Sequence, residues 1–320
     1  MTHRPVLLDQ ALDALAPQDG GVYVDATFGG GGYSRAILER ADCRVLGFDR
    51  DPDAVARGRE LAAAHPGLTI VHAPFGEMHP RLQAAGLAQV DGIVFDLGVS
   101  SFQLDQRDRG FSFQGDGPLD MRMSRSGATA ADLLAELGEA ELMRLLSDLG
   151  DEPQARRVAK AIVAARRVYP IVTTAALAGI VARAKGGRQG PRDPATRTFQ
   201  ALRMAVNDEL GELERGLAAA EALLRPGGRL VVVAFHSGED ALVKSFVNRH
   251  GGRQEQPSRH LPPVVLAPPR WRWVRHGTAK PSAQEVGSNP RARSARLRVA
   301  ERLADAGAAE GEGGPWRHAA

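Results

Sequence analysis

Three aspartates, Asp25, Asp49 and Asp96, each close a short apolar run, and four consecutive glycines, Gly29 to Gly32, follow the first of them. Glycine in such a turn admits positive φ and lets a ligand approach the backbone closely. Asp49 lies twenty residues beyond Gly29, a separation at which an acid can accept both ribose hydroxyls of an adenosine. A dinucleotide loop would instead present Gly-x-Gly-x-x-Gly, with a helix N-terminus facing a pyrophosphate. Here the spacing is compressed and Asp25 stands before the turn. A carboxylate there suits a cationic methionyl head and repels pyrophosphate. The residues therefore favour S-adenosylmethionine as cofactor, with NAD as the alternative. Asp96 then falls beside the methyl donor, unless it merely caps the loop that follows.

These acids need strands to carry them. Gly21–Asp25, Arg44–Asp49, Leu68–His72 and Gly92–Asp96 read as strands, and helical patterns lie between them at Ser34–Arg40, Pro52–Ala64 and Met78–Ala85. This alternation builds a parallel sheet, and ligands bind beyond the carboxyl ends of its strands. From about Leu104 to Thr198 the strand rhythm stops. A Gly-, Asp- and Arg-rich loop (Asp105–Ser126) precedes helical patterns near Ala131–Gly150, Gln154–Arg167 and Thr174–Ala184, and a connector spans Gly186–Pro194. One long amphipathic helix is expected from Phe199 to Leu224, then a strand at Arg229–Phe235 and a helix at Gly238–Asn248. Val264–Leu266 and Arg296–Ala300 are candidates for the closing strands. The expected organisation is α/β, with methyltransferase-type segments at 1–103 and 199–302, an all-helical insert at 104–198 and a flexible tail at 303–320.

With 320 residues, 43% hydrophobic, the chain can bury a core, and no apolar run is long enough to span a membrane. No signal-peptide layout opens it, so a cytoplasmic location is expected. Cys43 is the single cysteine; it makes no internal disulfide or metal framework and reads as core, and no metal is expected. The net charge is only +3, yet residues 249–302 hold twelve Lys or Arg against three acids, with Trp271 and Trp273 among them. That stretch could bind nucleic acid or could be a solvated basic surface.

The motifs RPVLLDQAL (from Arg4), DATFGGGGYSRAIL (from Asp25), GFDRDPDA (from Gly47) and DGIVFDLGVSSFQLD (from Asp91) come in order. RGFSFQGDGPLDMRM, PATRTFQALRMAVNDEL, PGGRLVVVAFHS and NPRARSARLRVAER follow, ending at Arg302. Together they resemble the bacterial 16S rRNA (cytosine-N4)-methyltransferase family, RsmH or MraW. The resemblance implies a class I (Rossmann-like) S-adenosylmethionine methyltransferase sheet with an inserted helical substrate domain. It implies methylation of N4 of cytidine 1402 in 16S rRNA, with the small ribosomal subunit as partner; the oligomeric state stays open, a homodimer included. It places Gly31, Gly32, Tyr33, Asp49, Phe75, Asp96 and Gln103 at cofactor-contacting positions. Tyr33 stands where the family commonly has His, and Gly238 where it usually has Leu.

An exocyclic cytosine amine is a weak nucleophile, because its lone pair is delocalised into the ring. Transfer needs an acceptor for an amino hydrogen and in-line placement against the methyl group. Asp96 is the candidate acceptor, with the Leu97 or Gly98 carbonyl assisting. The base must be unstacked, which calls for an aromatic platform: Phe102, Phe111 or Phe113, each of which could equally be core. Ser237 with Asp240 reads as a helix-capping pair, and His236 as a proton shuttle, an RNA contact or a structural histidine. Arg122, Arg192 and Arg197 are candidate phosphate ligands or solvated charges. An NAD oxidoreductase, a non-catalytic ribosome-assembly factor and a DNA-directed enzyme are the competing readings.

Overall fold

A computed structural model describes residues 4–187, 193–251, 268–275 and 277–305. Seven strands form one sheet: β1 (Val22–Asp25), β2 (Arg44–Asp49), β3 (Leu68–His72), β4 (Val90–Asp96), β5 (Leu224–Ala234), β6 (Trp271–Trp273) and β7 (Arg296–Arg302). Their order is β3-β2-β1-β4-β5-β7-β6. β1 to β5 are parallel neighbours, while β7 runs antiparallel to both β5 and β6. Strands buried on both faces carry near-continuous apolar runs, which is why Val45, Leu46 and Phe48 of β2 and Ile93, Val94 and Phe95 of β4 are all buried. The order reverses between β1 and β4, and a ligand crevice opens at such a switch point.

The helices are α1 (Leu8–Leu15), α2 (Gly32–Arg40), α3 (Pro52–Ala64), α4 (Met78–Ala84), α5 (Ser101–Asp105), α6 (Ala130–Glu136) and α7 (Glu139–Gly150). They continue with α8 (Ala155–Arg166), α9 (Thr174–Lys185), α10 (Thr196–Val206), α11 (Glu209–Leu223), α12 (Ser237–His250) and α13 (Ala283–Ser288). Two apolar clusters cover the two faces of the sheet, one built on α4, α11 and α12, the other on α1 and α2. A third, separate cluster joins α6 to α10 with Phe111, Leu119 and Met121. The chain between β4 and β5 thus carries a helical unit with a core of its own.

Three expectations need correction. The helix expected over Phe199–Leu224 is two, α10 and α11, broken at Asn207 and Asp208; Asp208 has φ 47°. The Asn207 side chain leaves the helical pattern to accept from Met123 N–H (2.8 Å) and to donate to the Met121 carbonyl (2.7 Å). A partner remote in sequence therefore breaks the helix. The boundary expected at 198/199 falls inside α10, whose Phe199, Ala201 and Leu202 belong to the helical core. The second closing strand is Arg296–Arg302 as expected at its start, but its neighbour is Trp271–Trp273. Val264–Leu266 and residues 306–320 of the expected tail lie outside the described residues.

Candidate active site

The glycine turn is strapped to both neighbours of β1: Ala26 N–H donates to Val94 of β4 and Phe28 N–H to Phe48 of β2, each at 2.9 Å. Beyond these strand ends lies a cavity of about 450 Å³, lined by residues that include Phe28, Gly29, Gly30, Gly32, Tyr33, Asp49, Phe75, Asp96, Phe102, Gln103 and Met123. Six of the seven cofactor positions expected from the sequence therefore meet in one hollow. Gly31 is the exception. It is not among the lining residues and serves as the left-handed N-cap of α2, φ 74°.

Each lining group has a defined local cause. Asp49 Oδ2 accepts from Gly29 N–H and its Oδ1 from Asp51 N–H, both at 2.8 Å. Burial, outweighing these bonds, pushes its carboxyl up to about 6. Asp96 N–H donates to Thr27 Oγ1 at 2.7 Å, tying the end of β4 to the glycine turn, and Asp96 lines the cavity. Its Oδ1 is buried and has no hydrogen-bond partner. Burial first, then Asp25 and Glu239, hold this carboxyl well above the usual carboxylate range. A buried orphan acceptor is costly, so a ligand group that donates to it or brings positive charge fits the cavity.

Phe75 meets Phe95 edge-on, ring centroids 5.3 Å apart. Gly216 lies beneath it on α11, where a Cβ would come within 2.6 Å of Phe75 Cδ2. Tyr33 is buried and its hydroxyl donates to the Val6 carbonyl at 2.6 Å. Gln103 closes a capping box with Ser100 and donates from Nε2 to Asp51 Oδ2 at 2.8 Å. Both ends of its amide are thus engaged within the protein, and it shapes the wall.

Asp25, expected beside the methionyl head, does not line the cavity. Its carboxylate accepts from Ser34 Oγ (2.7 Å), Ser34 N–H (3.1 Å) and Thr27 N–H (3.3 Å). It braces the glycine turn from inside. Burial pushes it, too, up to about 6.

Among the candidate platforms, Phe102 alone lines the cavity: it is 42% exposed, while Phe111 is 6% exposed and Phe113 packs edge-on against Phe199. The Arg57 guanidinium lies 4.3 Å from the Phe102 ring centroid.

A family model described as the MraW methylase family matches residues 1–303. The chain belongs to the MraW methylase family. Its relatives include the ribosomal RNA small subunit methyltransferase H of Hyphomonas neptunium, 53% identical over 315 residues, 98% of this chain and 92% of that protein. The like-named protein of Rhodospirillum centenum is 57% identical over 302 residues, covering 94% and 92% of the two chains. That of Rhodospirillum rubrum is 54% identical over 310 residues, 94% of each.

Against the family resemblance, the two departures are mild. The Tyr33 hydroxyl turns to the Val6 backbone, and a Cβ on Gly238 would reach only to Leu210 and His236 at 3.4 Å or more. The expected Ser237–Asp240 cap is replaced. His236 caps α12, its Nδ1 accepting from Glu239 N–H at 3.3 Å, while Ser237 donates to Asp151 at 2.8 Å. Asp240 instead pairs with Arg296 (2.8 Å) and Arg298 (2.7 Å).

Glu209, His236 and Glu239 place ligand atoms within 4.8 Å of one another. Arg203 already occupies both Glu209 oxygens, at 2.7 and 2.8 Å, and Phe235 N–H donates to Glu239 at 2.8 Å. Glu209 and Glu239 are thus already engaged by donors within the protein.

Three candidate nucleic-acid contacts also change. Arg122 is paired with Asp120 at 2.7 Å. Trp271 is buried, donating to Glu221 at 3.1 Å, and Trp273 donates to Asn248 at 2.9 Å. These tryptophans are sheet-edge core. Arg197 lies on α10, partly buried, and Arg192 is outside the described residues.

Sequence reasoning missed Arg109. This buried side chain lies 3.0 Å from Asp51 and 3.2 Å from Asp53, and donates to the Arg122 and Met123 carbonyls at 3.0 Å each. It joins the chain just after β2 to the helical unit's loop. The hint in the sequence was RDR followed by Gly110, an arginine inside a turn.

Proposed function

We propose that the protein methylates the N4 amine of cytidine 1402 in 16S rRNA of the small ribosomal subunit, using S-adenosylmethionine. The buried, unpartnered Asp96 carboxylate oxygen at the switch point carries this reading, together with membership of the MraW methylase family. When bound, S-adenosylmethionine would supply an electrophilic methyl group carried on its positive sulfonium, the S–C bond breaking as the bond to N4 forms and the neutral thioether of S-adenosylhomocysteine leaving. Asp49 would accept the ribose hydroxyls. Phe75 would flank the adenine, and Gly30 and Gly32, with Tyr33, would bound the methionyl part. Gln103 would fix the wall between ribose and base.

Asp96 would accept one amino hydrogen of the target cytosine. That draws the nitrogen towards sp³ character and frees its lone pair. A cation brought beside this carboxyl favours its ionised form, which is the form that accepts. Phe102, at the open edge of the cavity, would stack on the unstacked base. Residues 104–206 would form the substrate-recognition domain.

Among the described residues no helix is long and apolar enough to cross a membrane; a ribosomal substrate would put the enzyme's work in the cytoplasm. The test is to incubate the protein with labelled S-adenosylmethionine and small subunits lacking the mark, then to digest the rRNA to nucleosides. N4-methylcytidine at the target position is expected; label elsewhere, or none, overturns the assignment.

A further inference from the structure

Between residues 153 and 192 the chain carries nine Lys or Arg and no Asp or Glu. The described part of this acid-free run, as far as residue 187, folds into α8, the turn after it and α9. Helical geometry sorts its charges. Val158, Ala159 and Ile162 of α8 are buried in the helical core, and the opposite face presents Arg156, Arg157, Lys160 and, just past the helix end, Arg167, all exposed. Arg156, Lys160 and Arg167 stand at i, i+4 and i+11, one stripe of about 16 Å at 1.5 Å per residue. Among the described residues none of these four has an acidic partner within ion-pair distance. The stripe continues into a loop that holds Val168 at 69% and Tyr169 at 76% exposure.

The loop is not adrift from the site. Leu119 N–H donates to Val172 and Thr174 N–H to Gly117, both at 2.9 Å. The 117–119 segment leads within a few residues to Met123 in the cavity wall. A solvated charged face would ordinarily mix both signs and would not expose an aromatic side chain at its end.

We propose that the outward face of α8, with Tyr169, is an RNA-docking surface that grips phosphates of the rRNA flanking the target nucleotide. The proposal rests on the methyltransferase reading and says where that substrate is held. The charge is of the right sign for phosphate, and Tyr169 offers a flat face for an unpaired base. The twelve basic residues of 249–302 are the weaker candidate, because Arg296 and Arg298 pair with Asp240 and Arg272 pairs with Glu301.

The test compares the full-length protein with R156Q/R157Q/K160Q/R167Q and with Y169A. Affinity for a protein-free rRNA fragment bearing the target loop is measured across a salt series, alongside cofactor affinity and turnover. The quadruple variant should bind the fragment about 10- to 100-fold more weakly, with a salt slope shallower by about 0.7–0.9 for each phosphate no longer neutralised. Its cofactor affinity, thermal midpoint and kcat at saturating RNA should match the parent. Unchanged RNA affinity and slope overturn the proposal. Normal binding of the bare fragment with activity missing only on assembled subunits also overturns it, assigning the face to a ribosomal protein. Failure of the parent to form N4-methylcytidine would count against the methyltransferase reading, whereas the binding arms judge the surface by themselves.

Discussion

Arg109 and Asp51 form an ion pair sealed from solvent, 3.0 Å between Nη1 and Oδ2, with both side chains at most 4% exposed. Asp51 also receives Gln103, and Arg109 also holds two carbonyls of the loop that reaches Met123. One buried contact thus couples the segment after β2, the wall of the cavity and the helical unit.

Removing one partner of such a pair leaves an uncompensated buried charge, at a cost of about 3–5 kcal/mol. Arg109→Met should therefore unfold far more readily in urea than the parent. Arg109→Met combined with Asp51→Asn should recover part of the loss. A double variant that loses the full sum of both single effects would show the pair to be uncoupled.

Asp96→Asn keeps the shape of the side chain but not its basicity. Turnover should fall at least about 100-fold, while cofactor binding, followed by calorimetry, changes much less. Because burial holds the Asp96 carboxyl high in the cofactor-free protein, the parent's kcat/KM for S-adenosylmethionine should also rise with pH as the acid ionises. Turnover of Asp96→Asn within a few fold of the parent would remove Asp96 from the chemistry.

Asp49 gives a pH signature of its own. Its carboxyl is pushed from 3.8 up to about 6, and the ionised form is the one that accepts two ribose hydroxyls. Cofactor affinity should weaken as pH falls through about 6, and Asp49→Asn should flatten that limb while weakening binding throughout. The sign for folding is opposite. Asp25 and Asp49 bind protons more tightly folded than unfolded, so their contribution to stability is lost as pH rises from 3.8 to about 6. Denaturation of the cofactor-free protein across this window, compared with Asp25→Asn, should show the variant losing less stability as pH rises.

Gly216→Ala separates local propensity from packing. In a helix interior alanine is favoured over glycine by about 1 kcal/mol. Here its Cβ would fall 2.6 Å from Phe75 Cδ2 and 3.1 Å from Phe95 Cε1, so overpacking of about 1–3 kcal/mol should win. The expected result is weaker cofactor binding without a gain in thermal midpoint. A more stable protein with normal affinity would place Phe75 away from the cofactor.

The three candidate aromatics divide by exposure. Phe102→Ala should raise the KM for RNA with little change in melting temperature. Phe111→Ala, inside the helical core, should cost about 3–5 kcal/mol of stability. An RNA KM unaffected by Phe102→Ala would deny the stacking role.

The sequence by itself determined β1 to β4, the terminal acids of three of them and the glycine turn, because period, apolar runs and glycine chemistry act locally. The motif order from Arg4 to Arg302 determined the family. What only the tertiary structure decided was direction and partnership. Asp25 and Asp96 look alike at strand ends, yet one turns inward to Ser34 and the other is left without a partner in the cavity. Local sequence does not encode that difference, since it depends on which neighbour supplies donors. Asn207 breaks a helix for the sake of Met121 and Met123, over eighty residues away, and Arg109 finds Asp51 at a separation of 58 residues. The Trp271 side chain, charged surroundings notwithstanding, is drawn into the sheet edge by Glu221 and Phe246. Burial and long-range pairing are properties of the packed chain, so these roles became legible only once the packing was known.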